Sequence, residues 1–312
     1  MSRIFTILIL FVTNLIDVNG QQRHIDSFYL YGDVKITVDR PAGRVLNKKA
    51  LIIFYALPNG NTTAQTMGKK IQPGDDWHYD IQHIRAQTAF IRQLDKKKNY
   101  TVIYLENDYR SWPQWKQKHP DFNIILPNLI DTLAGLMQEK RRSICLNGHS
   151  GGGSFIFGCL AGMERIPPEI KRISFLDSNY GYDSSYYPVI RQWLMEVKGT
   201  AINVFAYNDS VALFNGKPVV SPTGGTWYRS HWMLKNLQND FQFSTTETDS
   251  LIIYKSADKR IQFFFKKNIN SGIYHTQQVA LNGFIHSILC GTKYDSRKYN
   301  YYSSRVYTDL IE

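Results

Sequence analysis

The segment around Ser150 constrains the fold of this chain more than any other part of the sequence. Four β-compatible residues, Ile144 to Asn147, run into the pattern Gly-x-Ser-x-Gly, and an apolar helical run, Phe155 to Ala161, follows it. Glycines at 148 and 152 remove the Cβ atoms that would clash where a strand turns sharply into a helix. The pattern predicts that Ser150 lies at a strained corner, with its hydroxyl exposed and a helix N-terminus beneath it.

Apolar runs alternate with helical stretches along most of the chain. Residues 50–56 are continuously apolar, which is typical of a strand buried on both faces. The same patterns predict strands at 34–38, 101–105, 173–176 and 202–207, and helices at about 77–94, 124–139, 188–197 and 227–237. This order indicates an α/β fold with a mostly parallel central sheet flanked by helices. Three strand-like runs, 251–254, 261–265 and 273–279, predict a C-terminal antiparallel meander.

The first twenty residues have the features of a secretory signal peptide. Arg3 precedes an apolar run over 4–12, and small residues stand before Gln21. We therefore expect residues 1–20 to be removed and the mature chain, 21–312, to be secreted or periplasmic. The apolar run is too short to span a membrane, and no later apolar run reaches the necessary length, so no transmembrane segment is expected in the mature chain. Residues 21–312 contain no linker or repeat, which predicts one catalytic domain.

Charge and cysteine content restrict the partners of the chain. Its 37 Lys and Arg residues outnumber 26 Asp and Glu, and the net charge of +11 favours an anionic partner such as an acidic glycan. Two basic runs, 96–98 and 140–142, each follow an acid at a predicted helix C-terminus, so we interpret them as solvated surface. No RNA- or DNA-binding motif is present, and the three cysteines do not have the spacing of a metal site. We expect neither a nucleic acid partner nor a metal.

With the Ser150 turn in the middle of its strand and helix alternation, the chain resembles the α/β-hydrolase superfamily over nearly all of the mature sequence. The resemblance implies a sheet of about eight strands with the serine after the fifth, a chain order of serine, acid, histidine, and no cofactor. It also implies an oxyanion hole made by the backbone N–H of Gly151 and one from the loop after the third strand. Leu57-Pro58-Asn59-Gly60 stands there instead of the common His-Gly form. Because proline has no N–H, Asn59 is the candidate donor.

The chain order of the family leaves three candidates for the catalytic histidine: His231, His275 and His286. A catalytic histidine needs a loop beyond a strand end, and His286 follows an apolar run and the turn Asn282-Gly283. His275 lies inside the predicted strand 273–279, where a surface histidine is ordinary. It is the alternative, because it would lie in the loop after Phe265 if that segment is not a strand. His231 lies in a predicted helix and is interpreted as a packed residue.

Two aspartates follow predicted strands and compete for the role of the acid. Asp209 comes after strand 202–207, where the family usually carries the acid, and is the preferred candidate. Asp177, after strand 173–176, is the alternative, since some members carry the acid there. Each aspartate taken alone also fits an ordinary turn residue.

These features predict a secreted serine hydrolase that cleaves an ester or amide through an acyl-enzyme, with Ser150, His286 and Asp209 as the triad. The expected substrates are small-molecule or glycan esters. A peptidase or amidase of the same fold is one alternative, and a binding protein that keeps the fold without turnover is another. A complete set of serine, acid and histidine in order argues against the binding protein.

Overall fold

The computed structural model describes residues 15–16, 22–43 and 48–312. Residues 1–14 and 17–20 of the predicted signal peptide lie outside the described residues. The removal of residues 1–20 therefore stays a prediction.

Most strands of the described chain join in a single twisted sheet of eleven strands. Its order is β1-β2-β3-β5-β4-β6-β7-β8-β13-β12-β11. The five pairs from β5 to β13 are parallel, and the pairs outside them are antiparallel. The strands of this sheet are β1 Leu15–Ile16, β2 Gln22–Leu30, β3 Val34–Arg40, β4 Lys49–Ala56, β5 Lys98–Asn107, β6 Arg142–His149, β7 Ile170–Leu176, β8 Ala201–Tyr207, β11 Phe243–Glu247, β12 Leu251–Ser256 and β13 Ile261–Lys266. A separate hairpin pairs β9 with β10, over Leu213–Phe214 and Lys217–Pro218.

Helices cover both faces of the sheet. They are α1 Thr63–Met67, α2 Ile84–Leu94, α3 Trp112–Lys118, α4 Phe122–Leu136, α5 Gly153–Ala161, α6 Tyr187–Glu196, α7 Thr226–Leu237, α8 Gln277–Ala280 and α9 Gly283–Leu289. Helices α3 to α7 contribute to the apolar core on one face, and α2 and α9 to the core on the other. Strand β4 shows why two cores form: Ile52 and Phe54 point to the first, and Ile53 and Tyr55 to the second. Since side chains alternate along a strand, a continuous apolar run is buried on both faces.

The architecture confirms the fold expected from the sequence. From β2 to β13 the strand order is that of the α/β-hydrolase fold, and β6, which leads into Ser150, is the fifth strand of that series. Two local predictions were wrong. The predicted helix 77–94 is divided at His83, whose left-handed φ of 45° separates a short 3-10 helix from α2. The predicted strand 273–279 is a loop that leads into α8, and the C-terminal antiparallel strands are β11, β12 and β13.

Candidate active site

The turn at Ser150 has the backbone geometry that the sequence predicts. Strand β6 ends at His149, and Ser150 follows with a φ of 55°, in the left-handed region that a non-glycine residue adopts only when its surroundings hold it there. A Cβ at Gly152 would lie 2.2 Å from the carbonyl oxygen of Ala56, the last residue of β4. Only glycine permits this contact, so the turn is fixed against the end of the neighbouring strand.

Behind the turn, the backbone of α5 lies directly against the loop after β7. A Cβ at Gly153 would lie 1.7 Å from the carbonyl oxygen of Ser178. The Ser178 hydroxyl in turn donates a 2.9 Å hydrogen bond to the carbonyl oxygen of Gly148. The segment that carries Ser150 and the loop that carries Asp177 are therefore joined through their backbones.

The structure pairs His275 with Asp177. His275 Nδ1 lies 2.5 Å from Asp177 Oδ2, and the Asp177 side chain is fully buried at the end of β7. The His275 ring also stacks on His149, with 4.5 Å between the ring centroids. Because His149 precedes Ser150 directly, this stack holds the paired imidazole beside the Ser150 turn.

A polar loop rather than a strand carries His275. The Asn268 amide nitrogen donates to the carbonyl oxygens of Asn208 and Gly272, at 2.9 and 2.8 Å, and its oxygen accepts from the Gly272 N–H. The N–H of Gln278 then bonds back to the His275 carbonyl oxygen and opens the turn into α8. The turn-forming sequence 268–272, Asn-Ile-Asn-Ser-Gly, is the signal that predicts a loop before His275.

The preferred acid of the sequence prediction, Asp209, caps helix α7. Its carboxylate accepts hydrogen bonds from the backbone N–H groups of Thr226, at 2.7 Å, and Trp227, at 3.3 Å. The Thr226 hydroxyl bridges the two aspartates, since it lies within hydrogen-bond distance of Asp177 and 3.2 Å from Asp209. Burial, and then the nearby Asp177 charge, raise the pKa of Asp209 to about 6. The structure therefore gives His275 its carboxylate from Asp177 and not from Asp209.

The structure does not place His286 at the Ser150 turn. Its ring is buried in the core between Phe264 and Tyr301, and its Nδ1 lies 3.0 Å from the Tyr299 hydroxyl. Its nearest acid is Asp295, at 3.9 Å, which accepts the N–H of Gly291 near the opposite edge of the sheet. Burial lowers the pKa of His286 to about 4. The sequence favoured His286 because 273–279 had been assigned to a strand, and that assignment made His275 a poor candidate.

The remaining histidines near the site are neutral, packed groups. Burial, followed by the neighbouring His275, lowers the pKa of His149 well below its usual value. The His231 ring, on α7, stacks on Phe265 of β13, and its Nδ1 bonds to the carbonyl oxygen of Trp227, as expected for a packed residue.

The two candidate oxyanion donors lie together. A Cβ at Gly151 would lie 2.0 Å from the side-chain oxygen of Asn59, so the loop after β4 covers the short turn from Ser150 to Gly152 that precedes α5. Within the described part of the chain, the Asn59 N–H has no hydrogen-bond acceptor, whereas Gly60 donates to the Arg110 carbonyl oxygen. The unbonded Asn59 N–H therefore belongs to a loop that lies against the residue directly after Ser150.

Over residues 25–43 and 48–312, the structure has no group of three or more His, Cys, Asp or Glu side chains arranged to hold a metal ion. None of the helices in the described part of the chain combines the length and apolar character that crossing a bilayer requires.

Comparison with known proteins gives similarities in structure only. No protein family model and no curated protein sequence matches the chain. A feruloyl esterase module from Clostridium thermocellum in complex with sinapinate is similar with a TM-score of 0.49 and 11% identity, over 91% of this chain and 97% of the other. A glucuronoyl esterase from Solibacter usitatus has a TM-score of 0.46 and 10% identity, over 92% and 88% of the two chains. A siderophore hydrolase from Aspergillus nidulans has a TM-score of 0.43 and 10% identity, over 93% and 96%.

Proposed function

We propose that this chain, which has the α/β-hydrolase fold, is a serine hydrolase that cleaves carboxylic esters through an acyl-enzyme on Ser150. The observation that carries the proposal is the 2.5 Å pairing of His275 with the buried Asp177, beside a serine at a strained strand-to-helix turn. These residues keep the chain order of serine, acid and histidine. In this assignment His275 and Asp177 replace His286 and Asp209.

Each residue has a defined role in the proposed reaction. The Ser150 hydroxyl attacks the ester carbonyl while His275 Nε2 takes its proton, and Asp177 holds the imidazole by accepting the Nδ1–H. The N–H groups of Gly151 and Asn59 stabilise the oxyanion. The C–O bond to the alcohol then breaks, and the alcohol leaves with the proton from His275. Water then attacks the carbonyl of the acyl-enzyme while His275 takes its proton. The carboxylic acid leaves, and the proton returns to the Ser150 oxygen.

Exposed apolar side chains support a substrate with an apolar part. Ile273, two residues before His275, is 46% exposed, and Phe214 on the β9–β10 hairpin is 63% exposed. The hairpin joins the His275 loop through a 3.1 Å hydrogen bond from the Leu213 N–H to the Ser271 carbonyl oxygen. We infer that these side chains contact an acyl or aryl group of the ester, because exposed apolar surface beside a reactive site is a common means of binding such groups.

Labelling with a fluorophosphonate probe tests the nucleophile. Wild-type protein is expected to form a covalent adduct at Ser150, and Ser150→Ala is expected to form none. Ser154→Ala is the matched control, because Ser154 lies one helical turn further along on α5. Unchanged labelling of Ser150→Ala, or no labelling of the wild type, would contradict the proposal, and the second result would favour a binding protein.

A substrate panel tests the reaction class. Esters of increasing acyl length, aryl esters, acetylated glycans and aminoacyl amides are hydrolysed by the same enzyme preparation. We expect ester turnover to exceed amide turnover and to rise with apolar acyl size, and we expect Phe214→Ser to reduce that rise. A preference for amides would assign a peptidase or amidase instead.

We further propose that the protein acts outside the cytoplasm, after removal of residues 1–20. The charged start, apolar run and small residues before Gln21 support this proposal. Mass analysis of protein recovered from the medium or periplasm is expected to give Gln21 as the first residue. Recovery of full-length chain from the cytoplasm alone would contradict it.

A further inference from the structure

A large cleft lies at the amino ends of the parallel strands, on the edge of the sheet opposite Ser150. Its volume is roughly 1010 Å³. The segments that lead into β4, β5, β6, β7, β8 and β13 line it, together with the segment that follows α9. None of the residues assigned to the proposed active site borders this cleft.

The lining of the cleft is strongly basic. Eleven cationic side chains border it against one acid, Asp95, which gives the lining a net charge of +10 where the whole chain has +11. The cations are Lys48, Lys49, Lys97, Lys98, Arg141, Arg142, Lys171, Arg172, Lys259, Arg260 and Lys293. Two residues of each basic run are among them, although 42 residues, with helices α3 and α4, lie between Lys98 and Arg141 along the chain.

Few of these charges are neutralised within the protein. Among the residues that the structure describes, Arg260 is the one lining cation with an ion pair, to Asp258. Arg172 uses its guanidinium to donate to the backbone carbonyl oxygens of Ser287 and Cys290. Asp95 is itself occupied, because its carboxylate accepts from the hydroxyls of Tyr100 and Tyr294.

The cations also act on one another. The pKa of Lys98 is lowered, first by partial burial and then by the charges of Arg172, Lys49 and Lys293, which oppose the effect of Asp95. A bound anion would offset this repulsion, so the cleft has an electrostatic preference for negatively charged ligands.

The dimensions of the cleft favour an extended ligand. Six neighbouring strands, from β5 to β13, present their amino ends here, and strands about 4.8 Å apart give a row about 24 Å long. A single phosphate would contact only a fraction of this row. A flat membrane surface would not enter a concave cleft. Single-stranded nucleic acid is normally held by exposed aromatic rings, but Tyr100 is buried and Tyr294 is bonded to Asp95.

We propose that this basic cleft binds an extended acidic polysaccharide, whose carboxylate or sulfate groups pair with the Lys and Arg side chains along the amino edge of the sheet. The proposal does not depend on the hydrolase activity, because the cleft and the Ser150 site lie at opposite ends of the strands. It gives the protein a second binding site, which holds it on an anionic polymer while the other edge of the sheet stays open.

Binding to defined polymers tests the proposal. Full-length mature protein is titrated calorimetrically with heparin, which carries sulfates, with polygalacturonate, which carries carboxylates, and with neutral dextran, at several salt concentrations. We expect binding to at least one acidic polymer, with an affinity that falls as salt rises, and none to dextran. The acidic polymer that the protein binds with the higher affinity identifies the anionic group, sulfate or carboxylate, that the cleft prefers.

Two triple variants of equal charge locate the binding site. Lys49→Gln, Lys97→Gln and Arg142→Gln remove three exposed cations of the cleft, whereas Lys70→Gln, Lys118→Gln and Lys235→Gln remove three exposed cations elsewhere. The cleft variant is expected to bind at least tenfold more weakly, with a salt slope reduced by roughly two to three. The control variant should bind within about threefold of the wild type. An equal loss in both variants would overturn the proposal, because it would assign the binding to net charge alone.

Two further measurements complete the test. Lysine acetylation of wild-type protein, read by mass spectrometry, is expected to show Lys49, Lys97 and Lys293 protected by the polymer and Lys235 unprotected. This result does not depend on the folding of any variant.

The choice of ligand is tested by comparing affinities at equal salt. If the protein binds single-stranded DNA, or vesicles rich in phosphatidylserine, more tightly than either acidic polymer, the choice of ligand is overturned.

Discussion

His149 and His275 stack face to face, with ring centroids 4.5 Å apart and an angle of 30° between the rings, and His149 Nε2 lies 3.2 Å from the carbonyl oxygen of His275. The lowered pKa of His149 keeps its ring neutral, and the carbonyl acceptor favours the tautomer that carries the hydrogen on Nε2. In the proposed mechanism His149 is therefore a positioning residue for His275.

Replacing His149 is expected to lower turnover through the position of His275. His149→Phe keeps the stack and loses the hydrogen bond, whereas His149→Ala loses both. We expect kcat to fall about 100-fold in the alanine variant and less in the phenylalanine variant, with KM nearly unchanged, because a small displacement of a reacting group is costly. The apparent pKa of the pH profile should also shift in the alanine variant. A purely structural role would lower the amount of folded enzyme and leave kcat per active site unchanged.

The identity of the base is tested by two histidine variants. His275→Gln is expected to lower turnover by about four orders of magnitude or more and to abolish probe labelling, since it removes the group that accepts the Ser150 proton. His286→Gln is the matched control and should label at close to the wild-type rate, because its ring contacts Tyr299 and Tyr301 in the core. The opposite pattern would restore His286 as the base.

The identity of the acid is tested in the same way. Asp177→Asn is expected to lower kcat by about 10⁴-fold, since the imidazole loses the acceptor that fixes its tautomer. Asp209→Asn keeps an oxygen that accepts one of the two α7 N–H groups, so its kcat should change by less than about tenfold. Steady-state kinetics on one ester measures kcat of both variants. A larger fall in kcat for Asp209→Asn than for Asp177→Asn would make Asp209 the catalytic acid.

The raised pKa of Asp209 predicts that the stability of the protein depends on pH. Its pKa is raised from 3.8 to about 6 on folding, so the folded state favours the protonated form. The protonated carboxyl therefore adds about 3 kcal/mol to the free energy of unfolding. This stabilisation is fully present below about pH 4 and is lost as the pH rises through about 6. Urea unfolding of wild type and Asp209→Asn between pH 3.5 and 7 measures it. The wild type should lose stability relative to the variant over this range, and parallel curves would contradict the prediction.

The lowered pKa of His286 predicts the opposite dependence of stability on pH. Its pKa falls from 6.5 to about 4 on folding, so its contribution is fully present above about pH 6.5 and is lost as pH falls through about 4. The expected total is about 3 kcal/mol. His286→Gln cannot ionise at this position, so its free energy of unfolding should fall less than that of the wild type between pH 7 and 4. An equal fall in both proteins would show that His286 does not titrate with unfolding.

Patterns within short segments were enough to predict the sheet and the Ser150 turn. Strands buried on both faces are continuous apolar runs, and a tight turn needs its glycines at fixed positions, so both leave a local record in the sequence. The choice between Asp177 and Asp209 has no such record. Both follow strands, and Thr226, which bonds to both, lies 17 residues after the nearer one.

The sequence ranks His275 second and does not reveal the basic cleft, for different reasons. Alternating residues over 273–279 favour a strand, but the chain there turns into α8, with the N–H of Gln278 bonded to the His275 carbonyl oxygen. The two basic runs were interpreted separately as solvated surface, because each is ordinary at the end of a helix. Only the order of the strands brings them to one edge of the sheet.

The contact of Gly153 with Ser178 has a consequence for how such a chain can change its substrate. The proposed nucleophile, Ser150, and the proposed acid, Asp177, are carried by two backbones in direct contact, so we expect side-chain exchange or insertion in the outer loops to leave the distance between them unchanged. In the proposed reaction the β9–β10 hairpin can therefore vary to fit other esters while that distance is kept. Substitution of Gly153 by any other residue would separate the two backbones and so end the chemistry for every substrate at once.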